Sequence, residues 1–195
     1  LDGEAAFHGA SEFCLRTGAG LDGGSIRQHA GPFDTICDAY METGDPTYLD
    51  HGAQRVEAVL EQVDRRRGVW PDTHGSQVYR GNVPWMAAQL ARPLYRWYHA
   101  TGDVEALVGL AESIICENTD WDKAGAVYGY SHNPRYAMTA NYDLSILPMI
   151  FAAYELSEDT FFLDAGKAQW QRWSESDALD SVLNVYWNTP WLMWY

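Results

Sequence analysis

The chain has 195 residues, of which 47% are apolar and 14% aromatic, so it is not a disordered polypeptide and can bury a sizeable core. Its formal net charge of −14 argues against a nucleic-acid partner, because proteins that bind nucleic acid present basic patches. No apolar run approaches the roughly 20 residues that cross a bilayer as a helix, so no membrane partner is expected.

In chain order, residues 4–17 read as a helix with Ala5, Ala6, Phe7, Ala10, Phe13 and Cys14 on one side. This is expected to be the outer helix of an earlier, truncated hairpin, and a loop follows over 18–28. A first complete hairpin is predicted over residues 29–64. Its inner helix ends in Tyr40-Met41-Glu42-Thr43-Gly44-Asp45, and its outer helix carries apolar residues at Leu49, Ala53, Val56, Leu60 and Val63. The basic run Arg65-Arg66-Arg67 closes that helix, where cations suit the dipole.

After a loop over 65–81, a second hairpin spans 82–118. Residues 83–100 are apolar nearly all round, broken mainly by Gln89, Arg92 and Arg96, and read as a buried inner helix. Thr101-Gly102-Asp103 supplies a left-handed stop and a new N-cap. The outer helix beyond it has Leu107, Val108, Ala111, Ile114 and Ile115 on one face. A loop over 119–138 leads to a third hairpin, 139–174, whose outer helix carries Phe162, Ala165 and Trp173.

Asp45, Asp103 and Asp159 align with periods of 58 and 56 residues, the mark of a helical-hairpin repeat. Pro93 and Pro148 precede the last two of these aspartates by 10 and 11 residues, which predicts a shared helix bend. Asn188-Thr189-Pro190-Trp191-Leu192 echoes Asn82-Val83-Pro84-Trp85-Met86, so residues 190–195 read as the start of a fourth inner helix cut short. The expectation is one all-α domain over 1–195, a fragment of a larger domain.

Metal and cofactor motifs are absent from the sequence. Cys14, Cys37 and Cys116 lack ligand spacing and read as buried free thiols. The six histidines form no HExxH pair, and Leu21-Asp22-Gly23-Gly24-Ser25 lacks the lysine of a phosphate loop. Chemistry is expected elsewhere. The turns within hairpins are short and the connections between them long, so alternating helix direction gathers all long loops on one face. The starts of the inner helices open there too.

That rim is expected to collect His29 and Asp34, then His74, Tyr79, Arg80, Asn82 and Trp85, then His132, Asn133, Arg135, Tyr136, Asn141 and Asp143. Asp34 is placed in the first turn of its helix, where an aspartate also serves the dipole. Trp85 and Trp191 share one repeat position, which suits packing as well as stacking on a ligand.

The inner-helix endings Tyr40-Met41-Glu42-Thr43-Gly44-Asp45 and Tyr98-His99-Ala100-Thr101-Gly102-Asp103 form one pattern, and Tyr142-Asp143-Leu144-Ser145-Ile146-Leu147-Pro148 opens another inner helix. On these runs the chain resembles the six-hairpin, (α/α)6-toroid superfamily of glycoside hydrolases and polysaccharide lyases. The resemblance implies an incomplete α/α toroid of about three and a half of six hairpins, acting on an oligo- or polysaccharide. Asp143 matches the acid/base placement of the glucuronyl hydrolase-like branches, although Tyr142 stands where a histidine would complete their pair.

A hydrolase needs two carboxylates, one to protonate the leaving oxygen and one to activate water or attack, for which Asp34 and Asp143 are the best pair. In the lyase alternative, Tyr136 or His132 would abstract the proton while Asn133 and Arg135 neutralise a uronate. A third alternative is a non-catalytic toroid that binds a glycan or a partner protein. Tyr79, Arg80, Trp85, His74, His29 and Asn141 complete the expected substrate-binding set.

Overall fold

The computed structural model describes residues 26–64, 87–121 and 146–174. Among these it holds six α-helices and no strand. They form three hairpins. Helices α1 (Ile26–Thr43) and α2 (Thr47–Asp64) make the first. A 3-10 turn at Ala88–Leu90 leads into α3 (Ala91–Thr101), which pairs with α4 (Glu105–Trp121). Helices α5 (Leu147–Ser157) and α6 (Thr160–Ser174) make the third.

The three turns share one hydrogen-bond pattern, which explains the recurring sequence. Thr43, Thr101 and Ser157 donate their hydroxyls back to the carbonyls of Ala39, Trp97 and Ala153 at 2.7, 2.8 and 2.6 Å. The same hydroxyls accept from the N–H groups of Asp45, Asp103 and Asp159, each at 3.2 Å. Each aspartate then caps the next helix, accepting at Oδ1 from Thr47, Glu105 or Phe161 N–H at 2.9, 3.0 and 2.9 Å. Between hydroxyl and cap sits a left-handed residue, Gly44, Gly102 or Glu158, with φ of +68°, +79° and +57°. Its N–H bonds the carbonyl of Tyr40, Tyr98 or Tyr154, which satisfies a helix-end carbonyl.

Helix contacts define two layers. Inner helices α1, α3 and α5 pack side by side in that order, and α2, α4 and α6 form a second row behind them. Between the layers lies one apolar core, including Phe33, Leu90, Leu94, Leu110, Ile114, Met149 and Ile150. Fully burying a side chain of this kind contributes about 1.5–3 kcal/mol, so this core, shared by all six helices, is what joins one hairpin to the next.

Several expectations need correction. Helix α1 begins at Ile26 rather than near residue 29, and Pro32 lies inside it. Pro93 and Pro148 are the third and second residues of α3 and α5. At Pro93 the helical backbone already runs from Ala87 through the 3-10 turn into α3, and Ile146 is 3-10 just before Pro148, so at both prolines the helical bonding changes where the ring removes an N–H. Helix α3 is also less buried than its composition suggests, for Arg92, Tyr95, Arg96 and Tyr98 are half-buried and His99 is exposed. In α2 the expected face meets the core at Leu49, Val56 and Leu60 but is wider on one side than the apolar spacing shows. Ala53 is exposed, while Tyr48, Gly52, Arg55, Val56 and Val59 are buried. On that added side Trp97 of α3 lies so close to Gly52 that a Cβ there would run into its ring.

Candidate functional site

The side of the inner layer turned away from the core is polar. In α3, residues Arg92, Tyr95, Arg96 and His99 follow the i, i+3, i+4, i+7 spacing that shares one face. In α1, Phe33 and Cys37 point into the core, and Asp34 and Asp38, one turn apart, lie beside them toward α3. Where α1 meets α3 these residues form an ionic quartet. Arg96 Nη1 donates to Asp34 Oδ1 at 3.1 Å and also, very closely, to Asp38 Oδ1. Arg92 Nε approaches the same Asp34 Oδ1 at 3.4 Å.

Burial governs the electrostatics. It pushes the Asp34 carboxyl above its ordinary pKa of 3.8, with the Asp38 charge adding to the rise, against the opposing pull of Arg96 and Arg92. Desolvation outweighs two neighbouring cations here because the carboxylate gives up water on most sides. Arg96 itself is held above its usual value, since the Asp38 hydrogen bond and the charges of Asp34 and Asp38 overcome its own burial. Burial also pushes the Cys37 thiol up to about 12, helped by Asp34, and its Sγ–H donates to the Pro93 carbonyl at 3.5 Å. A thiol held there is protonated near neutral pH and is no nucleophile.

Aromatic groups continue the polar face toward the turn end. Tyr95 and His99 meet edge to face at 4.7 Å between ring centres, and Tyr98 lies 5.3 Å from His99. The Tyr95 hydroxyl donates to Glu155 Oε1 at 3.1 Å, bridging α3 to α5.

Of the residues expected at the site, two lie in the described structure. Asp34 is not in a first turn at the rim but eight residues into α1, nearly midway along it. His29 is buried, 2% exposed. Asp143, His132, Tyr136, Arg135, Asn133, Asn141, Tyr79, Arg80, Trp85 and His74 lie outside the described residues, as do the side chains of Cys14 and Cys116. Among the described residues no group of three or more His, Cys, Asp or Glu side chains is placed to hold a metal ion.

Sequence reading missed Asp38, Arg92 and Arg96 as partners of Asp34, yet a signal was available. Asp34 and Arg92 stand 11 residues before Asp45 and Asp103, and Asp38 and Arg96 stand 7 before them. Opposite charges at equal register in adjacent repeats are bound to meet once the inner helices pack. Comparison with known proteins gives no family model, no curated protein and no solved structure that matches the chain.

Proposed function

We propose that the hairpins belong to an α/α toroid that cleaves glycosidic bonds in an oligo- or polysaccharide by hydrolysis, with Asp34 as a proton-donating carboxyl and Asp143 as the second carboxylate. The observation that carries this reading is the state of Asp34. Its carboxyl is raised by burial yet lies on the polar face of the inner layer, and both arginines meet it at Oδ1, so that among the described residues Oδ2 has no hydrogen-bond partner. A general acid for glycoside cleavage needs a carboxyl that keeps its proton above the ordinary range. It also needs a route from that proton to the leaving oxygen. Tyr95, Tyr98 and His99 add ring edges and faces suited to sugar stacking. The net charge of −14 favours a neutral or short substrate, since like charge opposes capture of a polyanion.

The test is cleavage of a panel of neutral and uronate oligosaccharides by the parent protein and by Asp34→Asn and Asp143→Asn. Each variant is expected to lose on the order of 10²-fold or more in kcat. Ultraviolet-absorbing products from a uronate polymer, with Asp143→Asn still active, would establish elimination instead. Glycan binding without cleavage in the parent would assign the protein to the binding class.

A further inference from the structure

Asp34 and Asp38 sit at i and i+4 on α1, where two like charges ordinarily repel. They are tolerated because one nitrogen of Arg96 lies between them, bonded to an Oδ1 atom of each. Arg92 approaches Asp34 at that same oxygen rather than at Oδ2. With Arg96 bonded and Arg92 close at Oδ1, the carboxyl keeps its other oxygen, which no described residue hydrogen-bonds, to carry and deliver a proton.

We infer that Arg96, anchored by Asp38, is a positioning residue: it holds Asp34 by Oδ1 and dedicates Oδ2 to proton transfer, with Arg92 as the second clamp. This rests on the hydrolytic reading of Asp34. When the Oδ2–H bond breaks, its proton goes to the glycosidic oxygen, which leaves with the electron pair of its bond to the sugar carbon. The charge left on Asp34 spreads to Oδ1, where both cations already stand. Dipoles and charges placed before the step need no reorganisation during it, which is the general source of electrostatic catalysis. Asp38 makes no contact with the reacting atoms in this scheme. It acts through Arg96, and its own charge helps Asp34 retain its proton.

The arrangement makes a prediction that packing alone does not. Removing the charge of Asp38 and removing that of Arg96 should move Asp34 in opposite directions. Carbon-detected NMR of the labelled 195-residue chain follows the Asp34 carboxyl through a pH titration. Asp38→Asn should lower its pKa, Arg96→Gln and Arg92→Gln should raise it, and Arg96→Lys should stay near the parent. If the quartet merely fastened α1 to α3, every loosening variant would let water reach Asp34 and drop its pKa toward the ordinary value. Shifts of one sign in Asp38→Asn and Arg96→Gln, or none in either, would therefore overturn the inference. Arg92 is exposed over 43% of its side chain, so Arg92→Gln keeps the test valid if an Arg96 variant fails to fold.

In the active protein the alkaline limb of the kcat/KM profile should follow the NMR shifts, moving down in Asp38→Asn and up in Arg96→Gln. The two readouts separate the claims. Opposite NMR shifts in a protein that cleaves no glycan would keep the clamp and remove the hydrolytic reading, whereas cleavage with a limb unmoved by either variant would remove the clamp.

Discussion

The two junctions between neighbouring inner helices are built on one backbone plan and carry different chemistry. Where α1 meets α3, the positions 11 and 7 residues before the turn aspartates hold Asp34 and Asp38 on one side and Arg92 and Arg96 on the other. Where α3 meets α5, the same positions in α5 hold Pro148 and Ala152, both buried and uncharged. There a Tyr95–Glu155 hydrogen bond spans the helices instead. Partly exposed ion pairs contribute only about 0–1 kcal/mol each, well below a buried leucine, so the charged junction is not what stability requires. The difference teaches that one backbone repeat can carry either a charged or an apolar junction, because the residues 11 and 7 before the turn are not fixed by the turn itself.

The largest expected effect tests whether the first junction depends on one ring. Trp97 packs 6.1 Å from Phe33, fills the space above Gly52, and donates its indole N–H to Asp103 Oδ2 at 3.2 Å. Trp97→Ala should cost about 3–5 kcal/mol in urea denaturation, by the usual scale for a buried aromatic. A loss below 1 kcal/mol would mean that the first and second hairpins are held elsewhere.

A glycine pair sharpens the comparison at intermediate size. Gly52 and Gly166 both stand 7 residues after a turn aspartate, and each lies under an aromatic ring, Trp97 or Phe151. At Gly166 an added Cβ would come within 2.6 Å of the Phe151 ring. Phe151 is half-buried and can swing outward, whereas Trp97 is buried and tied to Asp103. Gly52→Ala should therefore cost about 1–3 kcal/mol through overpacking. Gly166→Ala should stay within about 1 kcal/mol of the parent, because the gain in helix propensity offsets the small displacement. Equal losses in thermal melts would show the two rings to be equally confined.

Two aspartates should give acid responses of opposite sign. Asp34 has a raised folded-state pKa, so its contribution is fully present below the ordinary 3.8 and is lost as pH rises through the raised value. Asp45 is held below 3.8, first by the Thr47 backbone N–H and then by the Thr47 hydroxyl. Its contribution is present above 3.8 and lost as pH falls through the lowered value. Stability measured from about pH 2 to 7 should lose the first trend in Asp34→Asn and the second in Asp45→Asn. Identical profiles for the two variants would contradict both assignments.

The smallest effect concerns the turns. Glu158 occupies the left-handed position that Gly44 and Gly102 fill in the other two hairpins. Glu158→Gly should stabilise the third hairpin by about 0.5–1 kcal/mol, and Gly102→Ala should destabilise the second by a similar amount, since only glycine enters that region without strain. A loss of stability in Glu158→Gly would show that unfolded-state entropy outweighs the strain.

The all-helical hairpins, their turns and the ends of the inner helices were legible in the sequence because local rules fix them. A hydroxyl, a left-handed residue and a capping aspartate in a row close one helix and open the next whatever lies nearby. The core-facing side of α4 was also read correctly: Leu107, Ala111, Ile114 and Ile115 are buried and Val108 is partly so. What failed depended on neighbours distant in sequence. Apolar spacing correctly brought Leu49, Val56 and Leu60 of α2 to the core but could not show that Gly52 is buried too, because the ring that covers it comes from α3. Asp34 looked like a first-turn dipole partner because Pro32 resembled a helix start.

By itself, then, the sequence determined the helical repeat, since each turn is closed by hydrogen bonds between residues at most four apart. Only the tertiary structure decided which charges meet. Arg96 reaches Asp34 and Asp38 across 62 and 58 residues of chain, about one repeat, and that contact exists only once two inner helices pack side by side. The altered proton affinity of Asp34 follows from the same packing, because desolvation is a property of the assembled helices and not of the residue.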